Sequence, residues 1–243
     1  MSKKSKRIII SLSVVVVLIG VIVALSFTVF SLKKVEVDFR TSHQNITLSD
    51  EEIVEGGNFS YGASVFFHGK NGYVEKIESL SPYIDVVNIE TVFPSTFVIH
   101  IAERQEVYAF AYNGTTFITD QNLRILKEEV DFVSTRENAM LFEGVEIAEN
   151  DYQVGDYLQI ENFIDIYSSL FECNRTLTEQ TSLISSIKLL SEFDENIQQT
   201  QTTAVLNLFS GQTVQIKNAT YGLRYKLNMF LSVFSNLYSL IGQ

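Results

Sequence analysis

With 243 residues, 46% of them hydrophobic and none of them tryptophan, the chain can bury one or two modest cores. Its 29 acidic residues outnumber 18 basic ones, and Lys3, Lys4, Lys6, Arg7, Lys33 and Lys34 all fall in the first 34 positions, so the remainder holds 12 basic against 29 acidic residues, a formal −17. Such a surface repels phosphates and excludes an ordinary DNA or RNA reader, and the single Cys173 excludes an intramolecular disulfide.

Ile8 to Leu32 is 25 residues without a charge. A helix of that length spans roughly 37 Å at about 1.5 Å per residue, against a hydrocarbon core of ~30 Å. A cleaved signal peptide has a shorter apolar run, of about 7–15 residues, before a small-residue site. Ala24-Leu25-Ser26 offers such a site, but the apolar run continues through Phe27, Val29, Phe30 and Leu32. The sequence therefore predicts an uncleaved transmembrane helix over 8–32 behind a cytoplasmic tail of residues 1–7. Four basic residues before the helix and two after it place the bulk of the chain outside.

Lys34–Phe39 alternates, with Val35, Val37 and Phe39 on one face, and predicts a strand. Leu48–Gly57 predicts a short helix. Ser49 with Glu52 makes a capping box, the acids of the first turn suit the positive helix end, and Gly56 or Gly57 can stop it in the left-handed conformation. A second helix is expected over Asn71–Leu80, with Val74, Ile77 and Leu80 on one stripe and Pro82 just beyond its end. Val87, Ile89 and Phe93 then face one way along a strand that ends at Pro94, which cannot donate to a ladder. A return strand puts Phe97, Ile99 and Ile101 inward and Thr96, Val98, His100 and Ala102 outward. Two short helices against one sheet face make an α+β domain over 33–104.

This order, directly after an apolar helix, resembles the FtsQ/DivIB family of bacterial division proteins and its POTRA domain. The resemblance rests on Val35-Glu36-Val37, Ser49–Ile53, Gly62–Phe66, Ile77–Leu80 and Ser81-Pro82-Tyr83-Ile84. The family's closing run appears as Val87-Asn88-Ile89, Phe93-Pro94-Ser95-Thr96, Ile99-His100-Ile101 and Glu103-Arg104. The family's proline two residues after the arginine is absent, since Gln105-Glu106 stands there, and so is its Gly-Asn turn between Phe39 and Leu48. Glu103 and Arg104 read either as a solvated strand end or as a junction that fixes the angle to the next domain.

Over 105–243 the sequence predicts strands at Val107–Tyr112, Thr115–Ile118 and Leu123–Leu126, joined by an Asn113-Gly114 hairpin turn and by Thr119–Asn122. A helix is expected over Glu161–Glu172. Strands follow at Ile184–Leu190, Thr203–Phe209 and Gln212–Lys217. A last helix begins near Tyr221, with Leu223, Leu227, Phe230, Leu231, Phe234 and Leu237 at helical spacing. The whole is α+β: one N-terminal transmembrane helix, a small POTRA-like domain of β-α-α-β-β order, and a mixed β-rich domain with two helices.

No nucleophile elbow, phosphate loop, His-Glu-x-x-His or Cys-x-x-Cys occurs, and His43, His68 and His100 lie at least 25 residues apart. The sequence thus carries no catalytic or metal residues and implies no cofactor. Five glycosylation sequons, at Asn45, Asn58, Asn113, Asn174 and Asn218, keep a eukaryotic type II surface glycoprotein open as one alternative, and a membrane-anchored cell-wall enzyme is another.

The resemblance implies a non-enzymatic scaffold at the division septum. Its partners would be division proteins of the FtsL and FtsB/DivIC classes and, through them, a septal peptidoglycan synthase. It would touch membrane lipid through one helix and would bind no nucleic acid. In the family a further strand follows the last helix and its edge receives a partner. Here the expected docking edge is an inner strand such as Thr203–Phe209 or else the final strand is lost. Partner-binding residues expected on this basis are Thr203, Val205, Asn207, Gln215, Tyr221 and Arg224.

Overall fold

The computed structural model describes residues 3–66, 69–135, 139–160, 183–195, 198–219 and 221–241, with side chains from Leu12 to Val233 apart from that of Asp194. The chain divides into two compact units, Met1–Arg104 and Gln105–Gln243.

The first unit opens with helix α1, Lys3–Thr28. It stops four residues short of the expected end at Leu32. Leu32 is 2% exposed in the core of the domain that follows, and Phe30 packs against the same core. Burial there wins over continued helix, because a further turn would carry both side chains away from that core. Among the described residues no helix is long and apolar enough to cross a membrane.

Strand β1, Lys34–Phe39, pairs in parallel with β3, Thr96–Glu103, and β3 pairs antiparallel with β2, Ile84–Val92. The sheet order is β1-β3-β2. Helices α2, Asp50–Gly57, and α3, Asn71–Glu78, pack on one face. Ile53, Ile77, Ile84, Phe97, Ile99 and Ile101 are fully buried between the two layers. The capping box is present: Glu52 N donates to Ser49 Oγ and Ser49 N donates to Glu52 Oε2 at 2.8 Å. Neither glycine ends α2. Asn58 takes the left-handed cap at φ 49°, and both glycines stay inside the helix. A Cβ on Gly56 would stand 2.5 Å from the Leu80 side chain, so a larger residue there would have to turn that exposed side chain aside.

The phase of β2 differs from expectation. A bulge between Val86 and Asn88 shifts the register. Ile84, Val86 and Ile89 therefore face the core, while Val87 and Phe93 are 58% and 60% exposed. One extra residue reverses the alternation on either side of it.

The second unit is built on a seven-stranded sheet in the order β10-β9-β8-β7-β4-β5-β6. The strands are β4 Tyr108–Tyr112, β5 Thr115–Thr119, β6 Ile125–Glu129, β7 Met140–Glu143, β8 Ile184–Asp194, β9 Gln199–Leu208 and β10 Thr213–Ile216. Asn113 and Gly114, with φ of 48° and 85°, turn β4 into β5. Asp120 Oδ1 accepts from Asn122 N and Arg124 N, and Leu123, rather than Asn122, takes the positive φ of 67°. Strand β7 was not expected; it lies parallel to both β4 and β8 and joins the two halves of the sheet. Helix α4, Leu223–Ile241, covers one face with Leu223 and Leu227, both in the core around Phe110, Phe142 and Ile187. The expected helix at Glu161–Glu172, together with Cys173 and His68, falls outside the described residues.

Candidate partner-binding surface

Glu103 and Arg104 close the first unit and are not solvated; each is 8% exposed. Glu103 Oε1 accepts the backbone N–H of Gln44 at 2.9 Å, of Ile46 at 3.2 Å and of Asn45. Three converging donors hold the 44–46 loop against the end of β3, where a carboxylate is worth more than a neutral acceptor. Arg104 Nε donates to Ile84 O at 3.0 Å, and Nη2 lies 3.0 Å from Glu78 Oε1 and 2.9 Å from Asp85 Oδ1. These partners all belong to the first unit, so the pair locks β3 to α3 and β2. This internal lock replaces the reading of a solvated strand end.

On the opposite sheet face His100, 5% exposed, sits between neighbouring strands. Its Nδ1 is 2.8 Å from Asp38 Oδ2 on β1, and its Nε2 is 3.1 Å from Glu90 Oε2 on β2. Arg40 Nε approaches the same ring at 3.1 Å. The cluster ties three strands together through one buried ring flanked by two half-exposed carboxylates. On the helix side of the sheet, over the Phe97 ring, Lys70 Nζ donates to Ile89 O and Thr91 Oγ1, both at 2.7 Å. Burial holds its pKa below the usual lysine value despite the opposing pull of Glu90. Among the described residues no group of three or more His, Cys, Asp or Glu could hold a metal.

The expected docking strand is not an edge. Strand β9 is bonded on both sides, with Val205 opposite Lys188 of β8 and Gln215 of β10. Asn207 donates from Nδ2 to Ser186 Oγ at 2.8 Å and accepts from Thr213 Oγ1 at 3.3 Å, and Thr203 pairs with Leu190. Thr203, Val205 and Asn207 are therefore half-buried sheet residues. The sequence could not show this, because both runs alternate and only tertiary pairing decides which lies outside.

Among the described residues the edge at this end of the sheet is β10, and Gln215 lies on it. Leu208 N donates to Gln212 O at 2.9 Å. Alternation in an antiparallel pair then turns the Val214 and Ile216 amides toward β9 and those of Thr213 and Gln215 outward. The chain runs from β10 into α4, where Lys226 Nζ donates to Lys217 O and Asn218 O at 2.8 Å. Tyr221 and Arg224 are exposed near the start of the helix.

Beyond Tyr221, which was expected and precedes the helix, a stripe on α4 was missed. Tyr221, Tyr225, Met229 and Val233 are 78%, 70%, 52% and 58% exposed, opposite the buried Leu223 and Leu227. Their spacing of four was visible in the sequence, but the stronger core stripe drew the reading. An apolar face on each side of one helix leaves one of them uncovered. The Phe234 and Leu237 side chains lie outside the described residues.

A three-stranded sheet backed by two short helices is the arrangement of a POTRA domain, and a β-rich unit follows it. Residues 30–104 match the FtsQ-type POTRA domain. The chain is 25% identical over 162 residues to cell division protein DivIB of Clostridium botulinum strain Hall, and equally to that of strain Loch Maree. Each alignment covers 66% of this chain and 59% of the relative, so the chain matches less than two thirds of the length of these curated proteins. The chain is thus a relative of the FtsQ/DivIB division proteins, as its residues implied. The family domain begins at residue 30, which agrees with the packing of Phe30 and Leu32.

Proposed function

We propose that this chain is a non-enzymatic scaffold of the bacterial division machinery. Helix α1 anchors it in the cell membrane with its N-terminus cytoplasmic and residues 35–243 outside. Its β-rich unit docks membrane-anchored partners of the FtsL and FtsB/DivIC classes at the septum, and through them regulates septal peptidoglycan synthesis. Anchoring is supported by the uncharged run from Ile8 and by the apolar side chains that α1 leaves exposed from Leu12 to Phe27.

The observation that carries the reading is an FtsQ-type POTRA domain followed by a strand, β10, that among the described residues is paired on one side only and leads into a helix with an exposed apolar stripe. A partner strand laid on β10 would gain main-chain hydrogen bonds from Thr213 and Gln215. Tyr221, Tyr225 and Met229 would supply apolar contacts that select the partner.

The test is co-purification from membranes of dividing cells with tagged full-length chain, comparing Gln215→Pro and the pair Tyr225→Ser and Met229→Ser with the parent. Both variants should lose the DivIC-class partner while keeping the parent's circular dichroism. Full recovery of the partner by both folded variants would sink the β10 docking site.

A further inference from the structure

Three segments meet where α1 ends. Val29 N and Phe30 N both donate to Leu25 O at 3.0 Å, so the last helical bonds reach Phe30. Val65 N donates to Phe30 O at 2.9 Å, Leu32 N to Ala63 O at 2.8 Å and Gly62 N to Leu32 O at 2.9 Å, which lays the 62–66 loop beside the exit of the helix. Lys33 N donates to Ser95 O at 2.8 Å, which brings the β2–β3 turn to the same place.

Three phenylalanines gather at this junction. Ring centroids are 5.1 Å apart for Phe30–Phe66, 6.2 Å for Phe30–Phe93 and 5.3 Å for Phe66–Phe93. Phe30 reaches the domain core, but Phe66 and Phe93 stand 52% and 60% exposed, with Val29 and Val92 at 43% beside them in sequence. An exposed aromatic cluster of this kind marks a surface that something else covers.

The neighbouring elements say what covers it. On one side, Val14 to Ile19 and Val21 to Val23 of α1 are each about half exposed. Consecutive helical residues point around the whole axis, so among the described residues nothing covers any face of α1 between Val14 and Val23. On the other side Lys33 and Lys34 are exposed, and Lys34 pairs with Glu36. Apolar helix, aromatic cluster and lysines follow one another in the order hydrocarbon, interface and headgroup of a bilayer.

The geometry points to Phe66 and Phe93 as a lipid-seated foot of the first unit. Their rings enter the interfacial layer of an anionic bilayer around the end of α1, and Lys33 meets the lipid phosphates. The inference rests on the membrane-anchor reading of α1 given above.

Because the chain has no tryptophan, Phe66→Trp, Phe93→Trp and Leu18→Trp each create a single reporter. Full-length protein is reconstituted in vesicles of equal parts phosphatidylglycerol and phosphatidylcholine, with or without bromine on the acyl chains. Val130→Trp, at a 74% exposed site in the second unit, is the solvent control. The Phe66→Trp and Phe93→Trp proteins should emit to the blue of the control. They should also lose most of their intensity when the bromine is near the headgroup and less when it is deep. Quenching of the Leu18→Trp protein alone overturns the foot and leaves the anchor standing. Absence of quenching in all three overturns the anchor and the foot together. Blue emission from the Phe66→Trp and Phe93→Trp proteins without bromine quenching means that protein, not lipid, covers the cluster, and this too overturns the proposal.

Discussion

Arg104 Nη2 lies 3.0 Å from Glu78 Oε1, so the last residue of the first unit is tied to the end of α3. The Arg104 side chain is 7% exposed and that of Glu78 18%, so the pair is far from the solvent-screened case. Removing the guanidinium takes the charge partner from Glu78, which keeps the N–H of Val86, and takes the donor from Ile84 O. Arg104→Ala should destabilise the first unit by about 3 kcal/mol in denaturant unfolding, and Arg104→Lys should recover little, since a single ammonium nitrogen cannot stand at both the Nε and Nη2 positions that serve Ile84 O and the two carboxylates. A loss below about 1 kcal/mol would mean that the pair behaves like an exposed bridge.

Leu32 belongs to the POTRA core although it ends the apolar run. A fragment of residues 30–104 should unfold cooperatively, and Leu32→Ala within it should cost about 3 kcal/mol, as for other fully buried leucines. The measurement is the urea midpoint. If a fragment starting at residue 33 matches the one starting at residue 30, the packing of Phe30 and Leu32 contributes nothing.

The capping box gives a pH dependence of definite sign. Backbone and side-chain hydrogen bonds from Ser49 hold the Glu52 carboxyl below the ordinary glutamate value of 4.5. A depressed folded-state pKa means stabilisation that is present above about 4.5 and is lost as pH falls through the lower folded value. The parent should therefore melt above Glu52→Gln at neutral pH, and the two curves should converge at strongly acidic pH. A gap that widens on acidification would contradict the hydrogen-bond assignment.

Proline should separate β9 from β10. Asn207 lies on a strand bonded on both sides, and proline there removes an interior donor, with an expected loss of about 3 kcal/mol or more. Gln215→Pro touches an amide that faces outward from the edge and should leave the melting temperature of the second unit within a few degrees of the parent. Equal destabilisation by both variants would mean that the outward assignment of Gln215 is wrong.

The first unit was largely legible because its signals are local. The Ser49–Glu52 box, the Lys34–Phe39 alternation and the inward triplet Phe97, Ile99 and Ile101 each require only a short window of sequence. The bulge at Val86–Asn88 was not legible, since it adds one residue without any compositional mark, and it misplaced Val87 and Phe93. In the second unit the strands on either side of Asn113-Gly114 were readable, but β7 has only four residues and is held by parallel partners distant in sequence. Thr203, Val205 and Asn207 were assigned to an edge for the same reason: pairing order is a non-local property. Asn58, Asn113 and Asn218, which read as possible glycosylation sites, all take positive φ. Asparagine tolerates that conformation better than most residues, which gives each of the three a backbone role.

The short run between α1 and β1 has no slack. Phe30, Leu32 and Lys33 are each held by a main-chain bond to the loop before α3 or to the β2–β3 turn. A free linker of even a few residues would let the domain swivel about its tether. Here the sheet β1-β3-β2 is keyed to the helix axis, so a torque applied to one is delivered to the other. Anything that tilts α1 must carry the POTRA fold through the same angle, and a load pulling on that fold is felt at the helix without first drawing out loose chain.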